Sequence, residues 1–205
     1  MPNTCFSNET YEYFPHPVFH YKVENYVKHN EDLSNYIYDL QNKDTIGLKK
    51  SNINGWHSPD FDLKNKEGIA YKFLITLQPY IIDVFKSYGW VYNPQKVFYS
   101  GMWAIINKKG NFNTEHIHPN SNLSAAYYVK APHNCGEFKV SNPHAISKDK
   151  FPERESPTEL NRLIAKHKIE EGDLLIFPSY LPHSVLPNES EEDRIVVSFN
   201  LWIGR

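Results

Sequence analysis

The chain has 205 residues, enough for one domain with a sizeable core and short for two. Hydrophobic residues make up 40% and aromatics 15%, which excludes a disordered chain, and 14 Tyr with 12 Phe lean toward strands rather than a helical bundle. The net charge is −2, and Lys and Arg are scattered rather than striped, which argues against nucleic acid or an anionic membrane as a partner.

The opening MPNTCFSNET has neither a basic nor an apolar stretch, so no signal peptide is expected, and no apolar run approaches a membrane span. Cys5 and Cys135 make neither a disulfide framework nor a zinc knuckle, so a reducing, cytoplasmic setting is expected. The sequons at Asn8, Asn122 and Asn188 are then chance matches.

Phe14–Val23 reads as a strand fenced by prolines. Asp32–Gln41 sets Leu33, Tyr36, Ile37 and Leu40 on one face, a short helix. Residues 42–65 read as a loop holding SNINGWHSPDFDL. Glu67–Tyr88 carries a helical stripe of Ile69, Phe73, Leu77, Ile81, Phe85 and Tyr88, and Pro79 inside it predicts a kink or break.

From Lys96 the pattern turns to strands. KVFYSGMWAIIN alternates Ser100, Met102, Ala104 and Ile106 against Tyr99, Gly101, Trp103 and Ile105. LSAAYYVKA, GEFKVSN after a Cys135-Gly136 turn, DLLIFP, the segment around His183 and RIVVSFNLWI complete the set. Asp149–Lys168 is polar, with Leu160, Leu163 and Ile164 spaced as one or two helical turns. Helices first and short strands after predict a mainly β (α+β) sandwich or barrel with helices outside it. The 205 residues read as a single domain, with 1–95 the N-terminal strand and supporting helices and 96–205 the main strands.

Three histidines stand out by spacing. His116-Ile117-His118 is H-x-H, and residues two apart on an extended chain share a face. Ile117 should then point the other way, into sheet or core. His183 follows the DLLIFP strand after a proline-bounded turn, and a sandwich can bring it beside H-x-H. Three imidazoles on one side of an ion leave positions open, the layout of a catalytic site rather than a closed structural one. Ten His are a rich supply, however, and H-x-H alone is equally a pair of ordinary strand residues. The other seven read as surface or loop residues, with His57 held in reserve. Arg194 opens RIVVSFNLW, eleven positions past His183. A guanidinium there can clamp a ligand carboxylate, or it can balance Glu191, Glu192 or Asp193 at a solvent turn.

EHIHPNSNLSAAYYVKAP, EGDLLIFPSYLPHSVLPN and DRIVVSFNLWI resemble the 2-oxoglutarate and Fe(II)-dependent oxygenase superfamily, and within it a branch of uncharacterised hydroxylases. PHPVF and SNINGWHS extend the resemblance over nearly the whole chain. It implies a double-stranded β-helix, or jelly roll. It implies Fe(II) held by His116, His118 and His183, with 2-oxoglutarate and O2 as cosubstrates. Arg194 falls where the family grips the far carboxylate of 2-oxoglutarate, with Tyr128 beside it and Ser198 and Asn200 as weaker members of that pocket. Tyr128 could equally fill the core. The implied reaction hydroxylates a substrate C–H bond with release of succinate and CO2. Because ligating imidazoles must be neutral, activity is expected to fall below about pH 6 to 6.5.

One departure stands out: His118 occupies the place of the family's carboxylate, which bears more on the cosubstrate than on the metal. Two alternatives stay open. One is a cupin-type three-histidine enzyme, dioxygenase or isomerase, that does not use 2-oxoglutarate. Gly110 and Gly172 match the cupin motif openings, although Tyr180 stands where a glycine is expected. The other is a non-catalytic jelly-roll binding module. The substrate, whether a small molecule, an amino acid or a peptide, and the oligomeric state are not written in the sequence. SNINGWHS, Asn107–Glu115 and Asp149–Lys168 are the segments expected to line its site.

Overall fold

The computed structural model describes residues 14–144, 152–153 and 155–204. Two helices, a six-stranded sheet and a five-stranded sheet lie in three layers. None of the described helices is long and apolar enough to cross a membrane.

The chain opens with β1 (Phe19–Lys22), shorter than the expected strand, and α1 (Tyr26–Lys43), which begins six residues before the expected start at Asp32. The added turns are polar, so periodicity could not reveal them. One of their residues, Asn30, is buried and accepts a hydrogen bond from Tyr127 Oη at 2.5 Å. The expected loop contains two-residue strands β2 (Asn52–Ile53) and β3 (Trp56–His57), too short for any pattern to show.

Helix α2 (Ile69–Ser87) runs through Pro79 without a break. Pro79 is exposed, and Ile75, whose carbonyl loses its intrahelical partner, is 40% exposed, so the lost bond falls on the wet side. The opposite side buries Phe73, Leu77, Ile81 and Val84.

The remaining strands are β4 (Val97–Asn107), β5 (Phe112–His116), β6 (Leu123–Lys130), β7 (Phe138–Ser141), β8 (Ile164–His167), β9 (Asp173–Pro178), β10 (His183–Val185) and β11 (Arg194–Ile203). The main sheet has the order β1-β9-β6-β11-β4-β3 and the smaller one β2-β5-β10-β7-β8, and every strand pairing is antiparallel. One face of the main sheet packs Met102, Tyr127, Ile176 and Phe199 against the helices. Its other face meets the smaller sheet through Tyr128, Leu175, Phe177 and Val196, with Phe138 and Val140 opposite. This is the jelly roll with outer helices that the sequence predicts.

Two local expectations are overturned. The helical turns near Leu160 and Ile164 are not formed. Leu160 is 69% exposed and Ile164 48%, so their spacing builds no buried stripe, and Ile164–His167 pairs with β7 instead. Asp149–Phe151 and Arg154 lie outside the described residues. The alternation of β4 also fails at one point. Its pairing with β11 slips between Asn200 and Leu201, a bulge that puts Tyr99 on the helix-facing core and Ser100 on the opposite face.

Candidate functional site

The smaller sheet brings two of the three histidines together. His116 ends β5, His183 begins β10, and the two sit directly opposite each other in the antiparallel ladder. His118 lies two residues past β5, where its backbone N–H donates to the Ser179 carbonyl at 2.9 Å. The ring centroids are 4.3 Å apart for His116–His183, 5.0 Å for His116–His118 and 5.1 Å for His118–His183. One ring nitrogen from each falls within 4.8 Å of the others, and among the described residues this is the group of three donors able to share an ion. Ile117 departs from expectation: it is 48% exposed at the cavity rim rather than in the core.

Two of the rings are oriented by backbone. His116 Nδ1 lies 2.7 Å from the Thr114 carbonyl and His183 Nδ1 2.9 Å from the Leu181 carbonyl. A carbonyl only accepts, so each Nδ1 carries the hydrogen and each Nε2 presents a lone pair. Burial holds all three rings below the usual histidine range, His118 at about 4 and His183 at about 3, with the neighbouring His116 adding to both shifts. Neutral imidazole is the form that can ligate an ion, so the loss expected below about pH 6 to 6.5 moves to lower pH with these burial-depressed rings.

This has a consequence for the ion-free chain. Unfolded His183 takes a proton near pH 6.5 but folded His183 does not until about pH 3, so its contribution to stability is complete above 6.5 and is lost as pH falls. At pH 5 the loss is roughly 2 kcal/mol. Urea unfolding at pH 7 and pH 5 should therefore show a pH difference smaller by about that amount in His183→Gln than in the parent. Equal differences would contradict it.

The rings open on a cavity of about 700 Å³. Tyr128, Phe138, Phe177 and Val196 wall it on the apolar side, and Ser198 and Asn200 line it from β11. Asn200 Nδ2 lies 3.3 Å from His118 Nδ1. Ser51 and His57 from SNINGWHS, and Asn113 and Thr114 from Asn107–Glu115, also line it, whereas the described part of Asp149–Lys168 does not. His57 is buried, not a surface residue, and stacks on Trp103 at 5.6 Å and 11°. Trp103 in turn lies 5.9 Å from His118. The expected lining by SNINGWHS is thus met at Ser51 and His57; the part played by Trp103 could not be read from the sequence because it depends on β3 pairing beside β4. A larger groove of about 860 Å³ runs between α1 and α2, remote from the triad.

Arg194 is fully buried. The three acidic residues that could have balanced it are engaged elsewhere: Glu191 with Lys109, Glu192 with Lys130, and Asp193 with Tyr38. Its Nη1 donates to the Cys135 carbonyl and, at 2.9 Å, to that of Leu186. Gly136, at φ +87°, makes this turn possible, since a Cβ there would meet the Leu186 and Pro187 carbonyls and Arg194 itself. Arg194 Nε and Nη2 have no partner among the described residues, and neither does the hydroxyl of Tyr128, which is also fully buried. Arg194 and Tyr128 are close enough to shift each other's ionisation, although burial dominates both shifts, raising the tyrosine and lowering the arginine.

Residues 101–200 match the family described as "Putative 2OG-Fe(II) oxygenase". No curated protein matches the chain. Among solved structures, a Pseudomonas putida prolyl-4-hydroxylase superposes with a TM-score of 0.62 at 12% identity, over 93% of this chain and 94% of that one. HygX from Streptomyces hygroscopicus, solved with nickel and 2-oxoglutarate, gives 0.62 at 12% identity over 92% and 83%. A collagen prolyl hydroxylase from Paramecium Bursaria Chlorella virus-1 gives 0.59 at 14% over 90% and 94%. At these identities the superpositions establish a shared fold; the stretch that is similar to the 2OG-Fe(II) oxygenase family, residues 101–200, holds all three histidines and Arg194.

Proposed function

We propose that the chain is an Fe(II)- and 2-oxoglutarate-dependent dioxygenase that hydroxylates an unactivated C–H bond, with His116, His118 and His183 as the protein ligands of the ion. The observation that carries the cosubstrate assignment is the unpartnered set at Arg194 and Tyr128. A buried guanidinium without a counter-ion calls for an anion, and its two free donors with the Tyr128 hydroxyl suit a carboxylate. A three-histidine enzyme that does not use 2-oxoglutarate has no need of such a set.

When bound together, Fe(II), 2-oxoglutarate and O2 supply the oxidation, converting the cosubstrate to succinate and CO2 and hydroxylating the substrate. The protein's part is positional. Neutral imidazoles direct their Nε2 lone pairs inward, and Arg194 and Tyr128 anchor the far carboxylate. Phe138, Phe177 and Val196 keep water from the reacting groups. Ser198 lines the cavity between these two regions and serves the same cosubstrate seat. The chain acts as one domain, since both helices pack on the sheet that carries Arg194 and Tyr128, β1 and β3 form its two edges, and β2 edges the smaller sheet.

The substrate is proposed to be a small molecule or a peptide entering past His57 and Trp103. Among proteins of this fold, one prolyl hydroxylase is solved with a peptide fragment and HygX with hygromycin B. The test is anaerobic loading with Fe(II) and titration of 2-oxoglutarate. A weak visible charge-transfer band, and succinate on admitting O2, are the expected results; absence of both rejects the proposal.

A further inference from the structure

His118 is held differently from the other two rings. Its Nε2 lies 3.3 Å from His183 Nε2 and its Nδ1 lies 3.3 Å from Asn200 Nδ2. The Leu181 carbonyl keeps the hydrogen of His183 on Nδ1, so His183 Nε2 can only accept. The contact between the two Nε2 atoms is then a hydrogen bond only if His118 carries its hydrogen on Nε2. In that state His118 Nδ1 is bare and accepts from the Asn200 amide. Asn200 Oδ1 in turn accepts from the Ser124 hydroxyl at 2.8 Å, and Ser124 Oγ lies 2.8 Å from Ser179 Oγ. Ser124 and Ser179 are buried, so each group must take its partner from within this line.

An ion bound at His118 Nε2 takes the place of that hydrogen, which must then reside on Nδ1. Asn200 can meet it by turning its amide over. Oδ1 then accepts from His118, Nδ2 donates to Ser124 Oγ, and the Ser124 hydroxyl donates to Ser179. The hydrogen bonds from His118 Nδ1 through Asn200 and Ser124 to Ser179 are all kept with their directions reversed, and the His118–His183 contact gives way to the ion. Asparagine suits this position because its side chain has a donor end and an acceptor end of nearly equal shape. Aspartate could serve only the loaded direction, and leucine neither.

We infer that Asn200 is a positioning residue, a two-state amide that sets which nitrogen of His118 carries hydrogen and couples ion binding to the buried Asn200–Ser124–Ser179 line. This rests on the reading of His118 as a ligand. It also gives the all-histidine triad the orienting partner that a backbone carbonyl gives His116 and His183.

The test is nitrogen-15 NMR of the histidine side chains, using Zn(II) as a diamagnetic probe. In the zinc-free protein His118 should carry its hydrogen on Nε2, and on zinc binding it should move to Nδ1. Asn200→Asp, which only accepts, should place hydrogen on Nδ1 before zinc is added. Asn200→Leu should weaken zinc binding by about 10- to 100-fold. Hydrogen on Nδ1 in the zinc-free parent, or an unchanged state in Asn200→Asp, overturns the inference while leaving the triad intact. If zinc leaves the His118 signals unmoved, the ligand reading fails and the coupling with it. The parent spectra decide the matter even if a variant does not fold.

Discussion

Arg194→Met should raise the 2-oxoglutarate concentration needed for half-saturation by about 100-fold or more while iron content stays near that of the parent. Two charge-assisted hydrogen bonds, each about 1.5–3 kcal/mol, set the scale, since 1.4 kcal/mol is a factor of ten. The effect on stability should be smaller than that of an ordinary core substitution. Methionine loses the hydrogen bonds to the Cys135 and Leu186 carbonyls, each about 1 kcal/mol, but relieves a buried guanidinium that has no counter-ion. Without 2-oxoglutarate the variant should therefore melt close to the parent. With 2-oxoglutarate at a hundred times its parental Kd, the parent should gain about 2.7 kcal/mol and the variant almost nothing. Loss of iron along with 2-oxoglutarate binding would show that Arg194 serves the metal site or the fold instead.

His183→Ala should abolish metal binding, with Ni(II) affinity by calorimetry falling at least about 1000-fold. His183 is the most buried ring of the triad, paired with His116 in the ladder and 5.1 Å from His118. The ring also fills space, with Phe177 at 4.7 Å and Phe138 at 5.7 Å, so alanine opens a hole worth about 2 kcal/mol or more. His183→Gln keeps most of the volume and should lose metal with a smaller change in stability. Full metal occupancy in both variants would reject the triad.

The sandwich with outer helices was legible because helical stripes come first and a run of short strands follows, and the family resemblance narrowed it to a jelly roll. α1 and the two shortest strands escaped for physical reasons. The first turns of α1 bury only a polar residue, Asn30, and β2 and β3, at two residues each, are too short to repeat any pattern. The bulge at Ser100 shifted half of β4 to the other face, which no alternation can announce. At the site, His116, His118 and His183 were readable from spacing. Spacing left Arg194 undecided between a solvent turn and a ligand, and its burial together with the prior engagement of Glu191, Glu192 and Asp193 removes the first option. His57 was reserved without a reason; the reason is its stack on Trp103, a contact between segments 46 positions apart in sequence.

The place of β11 bears on how the molecule is made. It is the last strand in the order of the chain, yet it lies in the middle of the main sheet, with β6 on one side and β4 on the other. Until it arrives, β1-β9-β6 and β4-β3 are two separate ribbons, each with a bare hydrogen-bonding edge. A nascent chain emerging from the ribosome therefore cannot finish its core piecemeal. The strand that joins the two ribbons also brings Val196, Ser198 and Asn200, so closure of the sheet and completion of the cavity wall are one event. Such late, long-range pairing makes for slow folding and a long window of exposed edges. Synthesis of this protein is where it should depend most on chaperones.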